Sequence, residues 1–173
     1  MTDLEVLTAA DLPLMQGLAQ RVTAIRPDLI SAGASYGELA WVWGQGRTPY
    51  GATWPRRLWF SGDELVAWGW AFLPRTVRRN DGSVTEVTGA SLSYQIHPDH
   101  GELVDDVIEW YDEVAAGLVR TVLPTTAEEF AVKRWAAHGY ESDVEAWWEL
   151  VAGRSIAATV EEPPQHAKAA RGR

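Results

Sequence analysis

The ten residues Glu64 to Leu73, ELVAWGWAFL, alternate with a period of two. Val66, Trp68, Trp70 and Phe72 fall on one face, and Ala67, Gly69 and Ala71 fall on the other. The stretch therefore reads as a strand with one bulky and one smooth side. The smooth side lets a helix or another backbone approach closely, because no large side chain stands in the way.

The flanking residues extend this strand into a sheet. Upstream, "LWF" after Arg57 and the turn Ser61-Gly62-Asp63 make a hairpin with it. Downstream, Asn80-Asp81-Gly82 readily supplies the positive φ of a tight turn and leads into SVTEVTGASLSYQI. Three antiparallel strands are expected.

Helical periodicity brackets the sheet. A short first strand around Leu4 and Val6 is followed by Thr8-Ala-Ala-Asp11, a capping-box spacing, and then by Leu14, Met15, Leu18, Ala19, Val22 and Ile25, which recur at helical intervals up to Pro27. A second capping box, Ser35-Tyr-Gly-Glu38, opens a shorter helix that ends near Gly44 or Gly46; "RTPYGATWP" then reads as loop. Later, Leu103, Val107, Tyr111 and Val114 line one face of a third helix, opposite Asp105, Asp106, Glu109, Asp112 and Glu113. "LVRTVL" is the next strand. Thr126-Ala-Glu-Glu129 caps a fourth helix with Ala127, Phe130, Ala131, Trp135 and His138 on one side and Gly139 as its stop. Val144, Ala146, Trp148 and Leu150 alternate as a last strand.

At 173 residues the chain suits one domain, placed at 1–152. Residues 153–173 carry Pro163-Pro164 and small and basic residues without periodicity, and read as a linker-like or disordered tail. No apolar run reaches the ~18 residues of a membrane span, and the N-terminus lacks a secretory pattern, so a cytoplasmic protein without a membrane partner is expected. The absence of cysteine removes disulfides, thiolate nucleophiles and thiolate zinc sites. A formal net charge of −9 argues against nucleic acid and suits a cationic small molecule. Six of the ten tryptophans lie between Trp41 and Trp70, which fits either a large aromatic core or an aromatic-lined pocket.

The most informative junction is YQIHPDHGELVDDVIEW, Tyr94 to Trp110, where a strand passes into the third helix. A helix start carries partial positive charge and free amides that favour an anion. Here, however, Glu102, Asp105 and Asp106 occupy the first turns, where they complement the helix dipole and repel a phosphate. His97, Asp99, His100 and His138 are suitable metal-ligand types, but their spacing matches no established site, so no metal is expected. "GASLS" is not a nucleophile elbow, and neither a phosphate loop nor a dinucleotide fingerprint is present.

The element order β-α-α-β-β-β-α-β-α-β, with "IHPDHG" at the junction and "KRWAAHGYES" near the end, resembles the GNAT superfamily of acetyl-CoA-dependent N-acetyltransferases over about residues 3 to 152. Within it the chain looks most like the first half of actinobacterial proteins with two such domains in tandem, which would place the Pro-Pro tail at the inter-domain linker. The resemblance implies an α/β fold with a mixed, mostly antiparallel, splayed sheet flanked by about four helices. It also implies acetyl-CoA as co-substrate and an amine acceptor, here a cationic small molecule. Ile96, His97, Pro98, Asp99 and His100 match the first part of the family's CoA loop, so Ile96, His97, His100, Gly101, Glu102 and Leu103 are the cofactor-binding candidates.

Two departures from the family pattern bear on activity. The Gly-rich run that would follow His100 is shortened to Gly101, and one glycine cannot aim several amides at a phosphate. The family's Tyr, four residues before a Gly-aromatic pair, is Trp135 here, although Gly139-Tyr140 matches the pair; an indole N–H has no usable acidity near neutral pH. Glu86, the carboxylate of SVTEVTGASL, is the candidate general base, with an exposed strand position as its alternative reading. Two functions stay open: a weak acyl-CoA-dependent N-acyltransferase, or a non-catalytic GNAT-fold module, a pseudo-enzyme that packs on a second acetyltransferase domain, a partner chain or a second copy. For such a partner, a Trp-rich apolar surface patch is expected.

Overall fold

The computed structural model describes residues 8–29, 35–46, 54–78, 81–122 and 128–141. The expected first strand at Leu4 and Val6, the last strand at Val144 to Leu150, residue Thr126 and the 153–173 tail lie outside the described residues.

Helices α1 (Asp11–Ile25) and α2 (Tyr36–Gly46) precede a hairpin of β1 (Arg56–Ser61) and β2 (Glu64–Phe72). Then come β3 (Arg75–Arg78), β4 (Val84–Val87), β5 (Ala90–Ile96), α3 (Leu103–Val114), β6 (Arg120–Val122) and α4 (Glu129–Ala137). The main sheet has the order β1-β2-β5-β6; β1 and β5 run antiparallel to β2, and β6 runs parallel to β5. β3 and β4 pair separately as a two-stranded sheet.

The expected three-stranded run is thus divided. β2 leaves the main sheet at Leu73-Pro74, where proline has no N–H for a ladder, and β5 resumes pairing with β2 only after Gly89. A Cβ on Gly89 would lie 3.1 Å from the Val119 carbonyl oxygen, so the small residue admits the backbone leading into β6. The tight turn is present: Gly82 has φ +84°.

The two faces of β2 separate two cores. Trp68 and Trp70, with Leu58 of β1, pack on Met15, Leu18 and Val22 of α1 and Leu39 of α2. Ala67 and Ala71, with Leu92, Tyr94 and Ile96 of β5, pack on Val104, Val107, Ile108 and Tyr111 of α3 and Trp135 of α4. Gly69 is the closest point, because a Cβ there would sit 2.6 Å from the Trp110 ring. The smooth side of ELVAWGWAFL is therefore the seat of α3. One detail differs from the alternation: register shifts between Trp59 and Phe60, and Leu65 rather than Val66 joins the tryptophan cluster.

Helix α1 begins without the expected hydroxyl cap. Asp11 accepts from the Thr8 backbone N–H at 2.7 Å, as a capping box requires, but the Thr8 hydroxyl turns to the same carboxylate at 2.8 Å instead of accepting from a helix amide. Arg56 draws that carboxylate inward at 2.9 Å and makes it a three-way tie between helix start and sheet. In α2 the Ser35 hydroxyl does accept from the Glu38 N–H, at 3.3 Å. Among the described residues no helix is long and apolar enough to cross a membrane.

Candidate functional site

The junction from β5 to α3 is held at its start by the His97 N–H, which donates to the Val66 carbonyl at 2.8 Å. His97 is extended (φ −61°, ψ 134°), as a residue before proline prefers, and its Nδ1 accepts from the Asp99 N–H at 3.3 Å. Accepting there leaves the imidazole proton on Nε2. One 3-10 turn, Pro98–His100, follows, and the His100 Nδ1 meets the Glu102 carboxylate at 3.2 Å. Ile96, His97, His100, Gly101, Glu102 and Leu103 therefore lie together, with Ile96 buried in the core and Glu102 exposed.

The local backbone differs from a phosphate cradle. Gly101 has φ −59°, and a Cβ on it would come within 3.3 Å of the Phe130 ring, so its small size serves the approach of α4. The described glycines with positive φ are Gly62, Gly82, Gly117 and Gly139, none of them at the junction. Two of the three helix-start carboxylates, Glu102 and Asp105, are committed to the protein itself, and Asp106 is exposed. Glu102 faces His100, and Asp105 binds Arg134 at 2.7 Å while its other oxygen lies 3.4 Å from the His138 Nε2, too misaligned for a hydrogen bond. These residues do not fit a CoA pyrophosphate.

Behind the junction, α4 and β5 share a buried polar chain. The Trp135 indole N–H donates to the Tyr94 hydroxyl at 3.1 Å, and that hydroxyl donates to the Glu128 carboxylate at 3.3 Å. Burial pushes the Tyr94 phenol well above the ordinary tyrosine range, and the neighbouring Glu128 charge adds to the shift. Tyr94 is therefore fixed as a neutral donor. Trp135 is fully buried and stacks edge-on with Tyr140 at 4.7 Å, a packing role for the side chain at the family's tyrosine position. Tyr140 itself donates to Asp112 at 2.7 Å, and burial and that carboxylate raise its pKa too. Sequence reading missed Tyr94 and Glu128 because they meet Trp135 only through tertiary packing.

Glu86 stands apart from this region. It is exposed on β4, opposite Thr76 of β3, in the small sheet rather than on the strand that leads to His97. Among the described residues no group of three or more His, Asp or Glu side chains could hold a metal ion.

The described tryptophans mostly build core. Trp54, Trp68, Trp70, Trp110 and Trp135 are buried, Trp43 and Trp59 are half-buried, and Trp41 is 61% exposed. The expected Trp-rich surface reduces, among the described residues, to Trp41. On the α1/α2 side the buried indole N–H groups of Trp54, Trp68 and Trp70 and the Gln95 Oε1 have no hydrogen-bond partner among the described residues. Leaving such a group unsatisfied costs about 1–3 kcal/mol each. Trp68 and Gln95 face each other across β2 and β5.

Two solved structures share this architecture. An acetyltransferase of the GNAT family from Streptococcus pneumoniae is similar with a TM-score of 0.50 and 14% identity, covering 80% of this chain and 83% of that one. A transcriptional regulator from Bacillus halodurans C-125 is similar with a TM-score of 0.50 and 15% identity, covering 82% and 93%. No family model and no curated protein matches the chain. At these identities the likeness is one of fold, and the fold is that of GNAT proteins: α/β, with a mixed, mostly antiparallel sheet between helices.

Proposed function

We propose that this chain is a GNAT-fold binding or scaffold module that has little or no acyl transfer of its own and works in the cytoplasm beside a partner. The partner would be a second acetyltransferase domain or a second copy of this chain. The observation that carries the reading is the start of α3: no positive-φ glycine, Gly101 filled against by Phe130, and Glu102 and Asp105 bound to neighbouring side chains where a pyrophosphate would need amides. Calorimetric titration with acetyl-CoA tests it. No saturable heat up to about 1 mM is expected, and a micromolar dissociation constant would overturn the proposal.

The second reading is a weak acyl-CoA-dependent N-acyltransferase for a cationic amine. The match at Ile96 to Asp99, held to β2 through the Val66 carbonyl, favours it. In that reading Ile96, His97, His100, Gly101, Glu102 and Leu103 contact the co-substrate and Glu86 takes the ammonium proton through water. A Glu86→Gln variant that loses acetyl transfer while keeping acetyl-CoA affinity would establish it.

A further inference from the structure

A groove of about 430 Å³ opens to solvent between α1 and the β1–β2 turn. Leu14 and Gly17 line its helix wall, and Ser61, Asp63 and Glu64 line its turn wall. Arg21 joins the two walls: it donates to the Leu65 carbonyl at 2.5 Å, and its Nε lies 3.0 Å from the Glu64 Oε1. That Nε makes no aligned hydrogen bond, so the contact with Glu64 is one of charge and leaves the carboxylate free to accept from another donor. None of these residues is among the CoA-binding candidates.

Gly17 is the residue that the fold does not account for. It stands in the interior of α1, where glycine is less favourable than any residue but proline. It is not among the glycines with positive φ, and a Cβ on it would meet nothing nearer than the Arg21 Nη1 at 3.7 Å, an ordinary contact. Neither backbone nor packing calls for glycine there; what a side chain would remove is room in the groove. Leu14 is the counterpart. Its spacing matches the buried stripe of α1, yet it is 41% exposed and turned to the groove. The turn wall supplies charge: Asp63 and Ser61 are exposed and make no side-chain hydrogen bond or ion pair among the described residues, and the chain as a whole carries −9. An apolar wall with room beside it, facing an unpaired carboxylate and a second with spare acceptor capacity, is complementary to a cation carried next to an apolar side chain.

We propose that this groove docks a short basic segment of a partner protein, with an apolar side chain of the segment seated against Leu14 over Gly17 and a neighbouring lysine or arginine paired with Asp63 and Glu64. The interaction requires neither acyl transfer nor its loss, so it stands or falls separately from the acetyl-CoA titration. Charge draws the segment in, and the space at Gly17 selects for the apolar residue beside the charge.

The test is a calorimetric titration of the intact chain with three capped tetrapeptides, Lys-Leu-Leu-Lys, Glu-Leu-Leu-Glu and Lys-Ser-Ser-Lys. The first should bind at least about tenfold tighter than either of the others. Gly17→Met, which keeps a good helix former while filling the groove, should weaken it at least about tenfold. Asp63→Asn should weaken it about threefold, and Asp106→Asn, on the exposed face of α3, should leave it unchanged. Gly17→Ala should raise the urea midpoint, and a lower midpoint would return the glycine to the needs of the fold and overturn the proposal. Equal affinity for the basic and acidic peptides, or for the leucine and serine peptides, also overturns it. So does wild-type affinity in Gly17→Met, a loss in Asp106→Asn as large as that in Asp63→Asn, or the absence of saturable heat up to about 10 mM.

Discussion

The two faces of β2 are built from alternate residues of one strand, yet they differ in how many of their buried polar groups are paired. On the α3/α4 face, Trp135, Tyr94 and Glu128 form a closed chain, Tyr111 donates to the Thr121 carbonyl at 3.1 Å and Tyr140 donates to Asp112. On the α1/α2 face, the indoles of Trp54, Trp68 and Trp70 and the Gln95 carbonyl are buried without hydrogen-bond partners among the described residues. Native interiors keep such groups few, so their concentration on the α1/α2 face sets it apart from the other face. The difference separates a face whose buried polar groups are largely paired within the chain from one whose indole N–H groups are not.

The largest expected effect falls on the smooth side. Gly69→Ala puts a methyl 2.6 Å from the Trp110 ring and should destabilise the chain by roughly 1–3 kcal/mol, read from the midpoint of urea unfolding. A loss below a few tenths of a kcal/mol would mean that α3 is not seated on β2 as described.

Next comes a direct comparison of the faces. Trp135→Phe removes a made hydrogen bond, whereas Trp70→Phe removes an unsatisfied donor, with the same change of side-chain volume. Trp135→Phe should therefore cost about 1 kcal/mol more than Trp70→Phe. Equal losses would erase the contrast.

The smallest effect is on pH dependence. Tyr94, Tyr111 and Tyr140 all have folded-state pKa values raised above the ordinary tyrosine value, so their stabilising contribution is complete below about pH 10 and is lost as pH rises beyond it. Urea midpoints should hold steady from pH 7 to about 9 and fall above 10. Tyr94→Phe should make that fall shallower, and an unchanged slope would place the titration elsewhere.

Much of the fold could be read from local pattern. The alternation of Trp68 and Trp70 with Ala67, Gly69 and Ala71 gave both faces of β2 and anticipated the close approach of α3. The periodicities of α1 and α3 gave their buried sides, although Leu14 and Ile25 turned out exposed at the ends of that stripe. The split of the three-stranded run was also written in the sequence, in Pro74, whose missing N–H ends the ladder just after β2. What local pattern cannot supply is partnership across long separations. Tyr94 meets Trp135 over 41 residues, Asp11 meets Arg56 over 45, and Arg75 reaches Trp54 from a different element. The same limit applies to Gly101, whose lone position suggested a loop remnant but whose neighbour is Phe130 of α4.

The strand order β1-β2-β5-β6 also sets a sequence of events in time. The β1–β2 hairpin closes across the two residues Gly62 and Asp63, whereas β5 reaches β2 only after the β3–β4 excursion and β6 reaches β5 only after α3 has formed the parallel crossover. Loop closure favours the hairpin first and the β5–β6 pair last. Weakening β6 should consequently speed unfolding while leaving the refolding rate nearly untouched, so this seam governs how long the folded chain lasts more than how quickly it forms.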